Sequence, residues 1–386
     1  MIDLDANATT QLLPEVLDAM LPWLRDRYAN PSGSYAAAKA ARNAIDQARS
    51  QVAELIGAEP EEIVFTGGGT ESVNTALRSL DALAGPGAAY VSAIEHSAVL
   101  RCVENLPRET HIASVNAGGR LDLDAFASHL EGTAFVSIMM ANNETGIIQP
   151  LREVTEIAHA RGLPIHTDAV QAAGKIPLNV RETRVDLLSL SAHKFHGPRG
   201  MGALYLRQGL KFKPLLWGGG QEAGRRSGTE NTAGIVGMGA AAMFAMQYLS
   251  TRPQIPVSAL RDAFETGILT ELSGVTVNGD PSHRLPNTSH LSFDGCDAAG
   301  LLILLDEAGI ACSAGSACMT GKQRPSHVQL AIGIPERRAK SSLRISFSRL
   351  STMSDALQAV NSIKKAVEKL RLVQGTGVGP VVVYSP

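Results

Sequence analysis

The chain is poor in cysteine, has no excess of either charge, and lacks an apolar run long enough to cross a bilayer. Four cysteines in 386 residues are too few for a disulfide scaffold, so the fold must rest on a packed core. The composition allows one: 44% apolar and 19% charged residues exclude wholesale disorder. Thirty-five basic residues against 37 acidic ones leave a net charge of −2, so neither a nucleic-acid footprint nor a polybasic membrane anchor is present. The start, Met1-Ile-Asp-Leu-Asp5, carries acids where a secretory leader needs basic residues, and no apolar stretch follows it. The longest apolar run is Ala233–Met246, short of the ~18 residues of a membrane span. Its small residues read as a closely packed buried helix. The expected compartment is the cytoplasm, with no nucleic-acid and no membrane partner.

Glycine, by contrast, is plentiful, at 37 residues. Much of it falls in loops within a regular rhythm. Amphipathic stretches at Pro14–Tyr28 and Ala36–Ile56 predict two helices. Short apolar strands then alternate with helices: Glu62–Thr66, Ala89–Ala93, Ala134–Met139, Leu163–Thr167, Asp186–Leu190 and Ala203–Leu206. Such alternation predicts an α/β fold with a mostly parallel sheet covered on both faces. The last connections are short enough for an antiparallel strand to join. Thr251-Arg-Pro-Gln-Ile-Pro256 breaks a helix and marks a domain boundary, and a smaller C-terminal α+β region follows. The expected organisation is a large domain over residues 14–250 and a small one over 1–13 and 257–386.

In open α/β sheets ligands sit beyond the C-terminal ends of the strands, so the residues there form the candidate site. Thr66-Gly-Gly-Gly-Thr-Glu-Ser72 is a glycine-rich turn opening a helix, whose N–H groups suit a phosphate. An ordinary strand–helix turn would look the same, and no lysine follows to make a nucleotide-binding loop. The next strands end at Glu95-His96, Ala141-Asn-Asn-Glu-Thr-Gly146, His166-Thr-Asp168-Ala-Val-Gln171 and Ser191-Ala-His193-Lys194. An Asp buried there needs a cation. A Lys in the same ring would lose solvent and its ordinary basicity. Arg225-Arg226-Ser-Gly-Thr229 adds a further anion-friendly loop. A phosphate cup, a ring-stacking His, an Asp and a Lys amine at one sheet edge match the needs of pyridoxal 5′-phosphate, PLP.

The chain resembles the cysteine desulfurases of the NifS/IscS type, in the fold-type I, class V aminotransferase superfamily. The resemblance runs from Leu4-Asp-Ala-Asn-Ala-Thr-Thr10 through Asn30-Pro-Ser32, Phe65–Ser72, Asn142–Gly146, His166–Gln171, Ser191–Lys194, Arg226–Thr229 and Gly315-Ser-Ala-Cys318 to Ser341–Ser346. It implies a large PLP-binding domain plus a small domain bearing the catalytic Cys loop. It implies that Lys194 forms the Schiff base and moves the Cα proton. Asp168 would pair with the ring nitrogen, and His96 would stack on the ring. Gln171 and Asn143 would contact the ring hydroxyl. Gly69, Thr70, Ser191 and His193 would form the phosphate cup, joined by Thr229 from the second subunit of a homodimer. Arg344 would clamp the carboxylate of L-cysteine, with Asn143 beside it. No metal is implied.

Cys318 would receive the sulfur as a persulfide, leaving L-alanine, and pass it to a sulfur-acceptor or iron–sulfur scaffold protein. It lies among glycine and small residues, which favours mobility. Cys102 and Cys296 read as small buried hydrophobes, and Cys312 as a strand end. Two features depart from the family: Tyr35 follows Gly33-Ser34 where many relatives have a His, and Lys322-Gln-Arg-Pro325 follows Cys318. Selenocysteine lyase, cystine lyase or aminotransferase activity, or a low-turnover PLP scaffold, are the alternatives.

Overall fold

The computed structural model describes residues 1–251, 253–314 and 325–375. In chain order the elements begin with β1 (Ile2–Asp3), α1 (Pro14–Arg25), α2 (Ala36–Ile56), β2 (Ile63–Thr66) and α3 (Gly69–Leu83). Next come β3 (Ala88–Ser92), α4 (Ser97–Glu104), β4 (Thr110–Ala113), α5 (Leu123–Ser128), β5 (Thr133–Ser137) and α6 (Leu151–Ala160). Then follow β6 (Ile165–Asp168), α7 (Val180–Thr183), β7 (Leu187–Ser191), β8 (Gly202–Leu206) and α8 (Thr232–Thr251). The C-terminal part holds α9 (Val257–Glu271), β9 (Val275–Val277), β10 (Thr288–Phe293), α10 (Ala298–Glu307), β11 (Ile310–Ala311) and β12 (Ser313–Ala314). It ends with α11 (His327–Ala331), α12 (Glu336–Ala339), β13 (Ser342–Ser346) and α13 (Met353–Gly375).

The expected mostly parallel sheet is present. It has seven strands in the order β2-β8-β7-β6-β5-β3-β4. β4, β3, β5, β6 and β7 run parallel, while β8 is antiparallel to both β7 and β2. The interior strands are buried along their whole length, as continuous apolar runs require when helices cover both faces. β4 and α5 escaped the sequence reading. β4 is an edge strand with an exposed, polar-interrupted pattern, so it lacks the apolar run that marks its neighbours.

The apolar stretch at 233–246 does form a helix, α8. By length and composition it suffices to cross a membrane, yet 56% of its most apolar window is buried inside the structure. Its glycines permit close approach to α2: a Cβ on Gly239 would come within 2.6 Å of the Ala48 backbone. α2 presents Ala41, Ile45, Ala48 and Val52 at helical spacing and stops at Gly57, which caps it in the left-handed conformation (φ 67°).

A second apolar core joins Leu4 to residues of α9, α10, β10, β13 and α13. Its antiparallel sheet has the order β12-β13-β10-β9. The N-terminal segment is stitched into it: β1 pairs in parallel with β11, and Asp5 bridges to Ser346.

Candidate active site

The parallel strands β3, β5, β6 and β7 all end at one edge, and β2 ends beside them. A cavity of about 400 Å³ opens there, lined by Gly69, Thr70, His96, Asn143, Asp168, Gln171, Ser191, His193, Lys194 and Arg344, with Asn7, Ala8, Ala98, Met139 and Val170. Ten of the expected site residues therefore meet in one place. Thr229 does not join them from this chain; it lines a separate cavity with Arg226, Glu222 and Glu230. Cys318 lies outside the described residues, as does most of the Lys322–Pro325 stretch. Tyr35 is exposed at the start of α2.

One wall is the first turn of α3. The helix starts at Gly69, and a Cβ on Gly69 would meet Val170 at 2.9 Å and Ser191 at 3.4 Å. Gly68 adopts φ 145°, open to glycine alone, and Gly202 on β8 packs against it so closely that a Cβ would lie 2.6 Å from its backbone. The free N–H groups of this turn, with Thr70 and Ser191, make an anion cup at a helix N-terminus.

Asp168 ends β6. Its carboxylate accepts the Val170 N–H at 2.9 Å, the one side-chain hydrogen bond it makes among the described residues. Burial raises its pKa, and His96 and Lys194 pull the other way. His96 caps α4, accepting the Ala98 N–H on Nδ1 at 3.1 Å, so the neutral ring carries its proton on Nε2. Burial holds that ring below its ordinary pKa. Beneath the floor, His166 bridges Ser137 and Ser189, each at 2.9 Å, and burial lowers it to about 3.

Lys194 follows β7. Its Nζ donates to the carbonyls of Asn7 at 2.6 Å and Ala8 at 2.8 Å. Burial, then the Arg344 charge, bring its pKa down to about 8, against the partial support of Asp168 and Asp5. Neighbouring His193 contacts Thr9 Oγ1 at 3.1 Å and is lowered to about 4, mainly by burial.

Arg344 reaches the cavity from the middle of β13, opposite Ser313 and His290. Its Nη1 donates to the Asn143 carbonyl at 3.0 Å and its Nη2 to Asp5 Oδ1 at 2.7 Å, while Nε is buried and has no partner among the described residues. Asp5 also accepts the Ser313 hydroxyl at 2.8 Å. A carboxylate from outside must exchange with Asp5 to be gripped by both arms of this guanidinium. Nearby, burial lifts the Glu144 carboxyl to about 7; it hydrogen-bonds Ser326 and feels Arg344.

Sequence reasoning missed Asp5, Asn7, Ala8, Glu144 and Lys175. The first three lie in the quoted motif Leu4–Thr10, but a segment before the first large-domain helix gives no spacing that points to a distant sheet edge. The loop at Arg225–Arg226 is not a free anion site. Arg226 pairs with Glu71 at 2.8 Å, and Arg225 donates to the carbonyls of Glu222, Glu61 and Ile63. Cys312 sits between β11 and β12 as expected for a strand end, and burial pushes its thiol up to about 12. Cys102 is buried and Cys296 half-buried.

Among known proteins, the class-V aminotransferase family matches residues 2–358, and the chain belongs to that family. A seven-stranded mixed sheet whose edge gathers Lys194, Asp168 and a helix-terminal anion cup is the architecture of fold-type I enzymes. Within the family the chain belongs with the cysteine desulfurases. It is 45% identical over 382 residues to the cysteine desulfurase of Cereibacter sphaeroides, covering 97% of each chain. The solved structure of a NifS-like protein superimposes with a TM-score of 0.89 at 34% identity, over 95% of this chain and 99% of that one. SspA in complex with cysteine matches with a TM-score of 0.80 at 35% identity, over 90% and 99%.

Proposed function

We propose that the chain takes sulfur from L-cysteine with the help of PLP, leaving L-alanine and a persulfide on Cys318. The observation that carries this reading is the Lys194 amine, which lines the same cavity as Asp168 and has its basicity reduced. The residues fit the cofactor. Asp168 has free acceptor capacity for a protonated ring nitrogen, the α3 cup suits a phosphate, and His96 offers a flat neutral ring. Gln171 and Asn143 line the cavity where a ring hydroxyl would lie. Bound PLP would supply the electron sink that makes the substrate Cα proton acidic.

The chain's own groups do the rest. Arg344, with Asn143 beside it, binds the substrate carboxylate in place of Asp5. The free Lys194 amine takes the Cα proton, as an amine with a pKa near 8 is suited to do. The Cys318 thiolate forms a bond to the substrate sulfur; the carbon–sulfur bond breaks, and its electron pair stays with the carbon, which is protonated and leaves as alanine. Cys318 follows Ala314 by four residues, a tether of at most about 14 Å. Ala314 and Ser313 pair with Leu343 and Arg344, and Arg344 lines the cavity. The persulfide sulfur then passes to an acceptor protein in the cytoplasm.

The functional unit is a homodimer. Thr229 completes a phosphate cup only from a partner, and the exposed leucines Leu17, Leu21 and Leu24, at helical spacing on α1, offer a surface for a second copy. Residues 14–250 form the cofactor domain, and 1–13 with 257–386 the domain bearing Arg344 and Cys318.

Borohydride reduction of the yellow holoprotein should fix the cofactor on the Lys194 peptide. Brief exposure to cysteine without reductant should add the mass of one sulfur atom to the Cys318 peptide. An adduct on Cys312, or full turnover by Cys318→Ser, contradicts the assignment.

A further inference from the structure

Lys175 lies beyond Gln171 in the turn that follows β6, next to Gly174 in a left-handed conformation (φ 72°). It lines the cavity between the two cores with Phe195, His196, Asn287, Phe347 and Arg349, and does not line the cavity that contains Asp168. Its amine donates to Gln171 Oε1 at 2.6 Å and to Asn7 Oδ1 at 2.9 Å. The charged groups acting on it are Lys194 and Arg344, both cations, and His193 and His196 feel it in turn. Burial and these cations push it well below the ordinary lysine range, and no carboxylate pairs with it among the described residues. A neutral amine has two N–H donors, and this one meets two acceptors.

An amide side chain has one acceptor end and one donor end, so occupying the oxygen fixes where the nitrogen points. With Oε1 held by Lys175, Gln171 turns its Nε2 to the Asn7 carbonyl at 2.9 Å. With Oδ1 held by Lys175 and by Asn287 Nδ2 at 3.0 Å, Asn7 turns its Nδ2 to the Asn143 carbonyl and Thr288 Oγ1. That same Asn7 carbonyl receives the Lys194 amine at 2.6 Å.

We propose that Lys175 is a positioning residue for the reaction: its enclosed amine sets the orientation of the Gln171 and Asn7 amides and, through the Asn7 carbonyl, the place of the Lys194 amine. The remaining N–H of the Gln171 amide, which lines the cavity with Asp168, would thereby be left for an acceptor on bound cofactor. This rests on the reading of Lys194 as the cofactor lysine.

The test compares wild type, Lys175→Met and Lys175→Gln as holoproteins. Four quantities are read: the site of borohydride capture, the midpoint of the pH titration of the cofactor–lysine absorption band, the rate of cofactor loss on dialysis, and kcat against KM. Lys175→Met should still be labelled on Lys194. Its titration midpoint should move by about half a pH unit or more. Cofactor loss should be faster and kcat lower, each by about tenfold, with KM within about twofold. Lys175→Gln, which keeps a donor, should recover a substantial part of both losses. Should Lys175→Met fail to fold, Lys175→Ser, too short to reach Gln171, is read by the same criteria. An unchanged titration midpoint and unchanged cofactor loss, with Lys194 labelled, would overturn this inference alone. Capture on another lysine in wild type, or none, would remove the cofactor assignment and this inference with it.

Discussion

The two halves of the site are built differently. On the seven-stranded sheet, functional groups stand where buried strands stop: Asp168 closes β6, Ser191 closes β7, and Lys194 follows within one turn. Each is held by nearby backbone, such as the Val170 N–H on Asp168 or the Asn7 and Ala8 carbonyls on Lys194. In the smaller region the functional group is Arg344, in the middle of an antiparallel strand and already engaged with Asp5. Under the proposed function the first half would hold the cofactor, and the second presents an ion pair that an incoming carboxylate would have to exchange. Damage to the sheet edge should therefore strike the chemistry, and damage to β13 should strike substrate affinity.

The sharpest test of that contrast is Lys194→Ala. Alanine release should fall by about four orders of magnitude, since proton transfer and the covalent anchor are lost together. Asp168→Asn should follow, with a loss of about 10²–10³ in kcat while PLP stays bound, because a neutral amide does not stabilise a cationic ring nitrogen. Arg344→Lys should leave kcat nearly unchanged and raise KM for cysteine about tenfold to a hundredfold, the worth of one charge-assisted fork. A fall in kcat instead would erase the distinction between the two halves.

The pH profile of the cofactor-free protein probes the first half directly. Only an unprotonated amine adds to an aldehyde, so capture of PLP by Lys194, measured after borohydride trapping, should rise with pH up to about 8 and then level off. An unperturbed lysine would continue to gain reactivity toward ~10.4. The smallest expected effect is that of Cys312→Ser. Turnover should stay within about twofold, while chemical denaturation should show about 1–2 kcal/mol less stability, from a hydroxyl placed where burial disfavours it.

Residues at the sheet edge were legible because each follows a run whose meaning is unambiguous. Val-Phe-Thr before the glycines, Ile-His-Thr before Asp168 and Leu-Ser-Leu before Ser191 all mark strands, and the strand end marks the site. The same logic failed where the strand signal is weak, as in β4, or where a residue serves from afar. Lys175 looks from sequence like a lysine just past an apolar turn; only the fold reveals that two amides close around it. Asp5 and Asn7 are separated from Arg344 and Thr288 by most of the chain, and no local pattern encodes that meeting. Arg344 was assigned through family resemblance, since a lone arginine in an apolar strand is compatible with several roles.

The stitching of the N-terminal segment carries a consequence for how the protein is made. Ile2 and Asp3 pair with Ile310 and Ala311, and Asp5 bridges to Ser346. These contacts join positions about 300 or more residues apart, so the seam cannot close until β11 and β13 have been made. The segment whose Asn7 and Ala8 carbonyls hold the Lys194 amine is itself tied to Ser346 of β13, so the smaller region completes the positioning of an amine that stands on the large sheet.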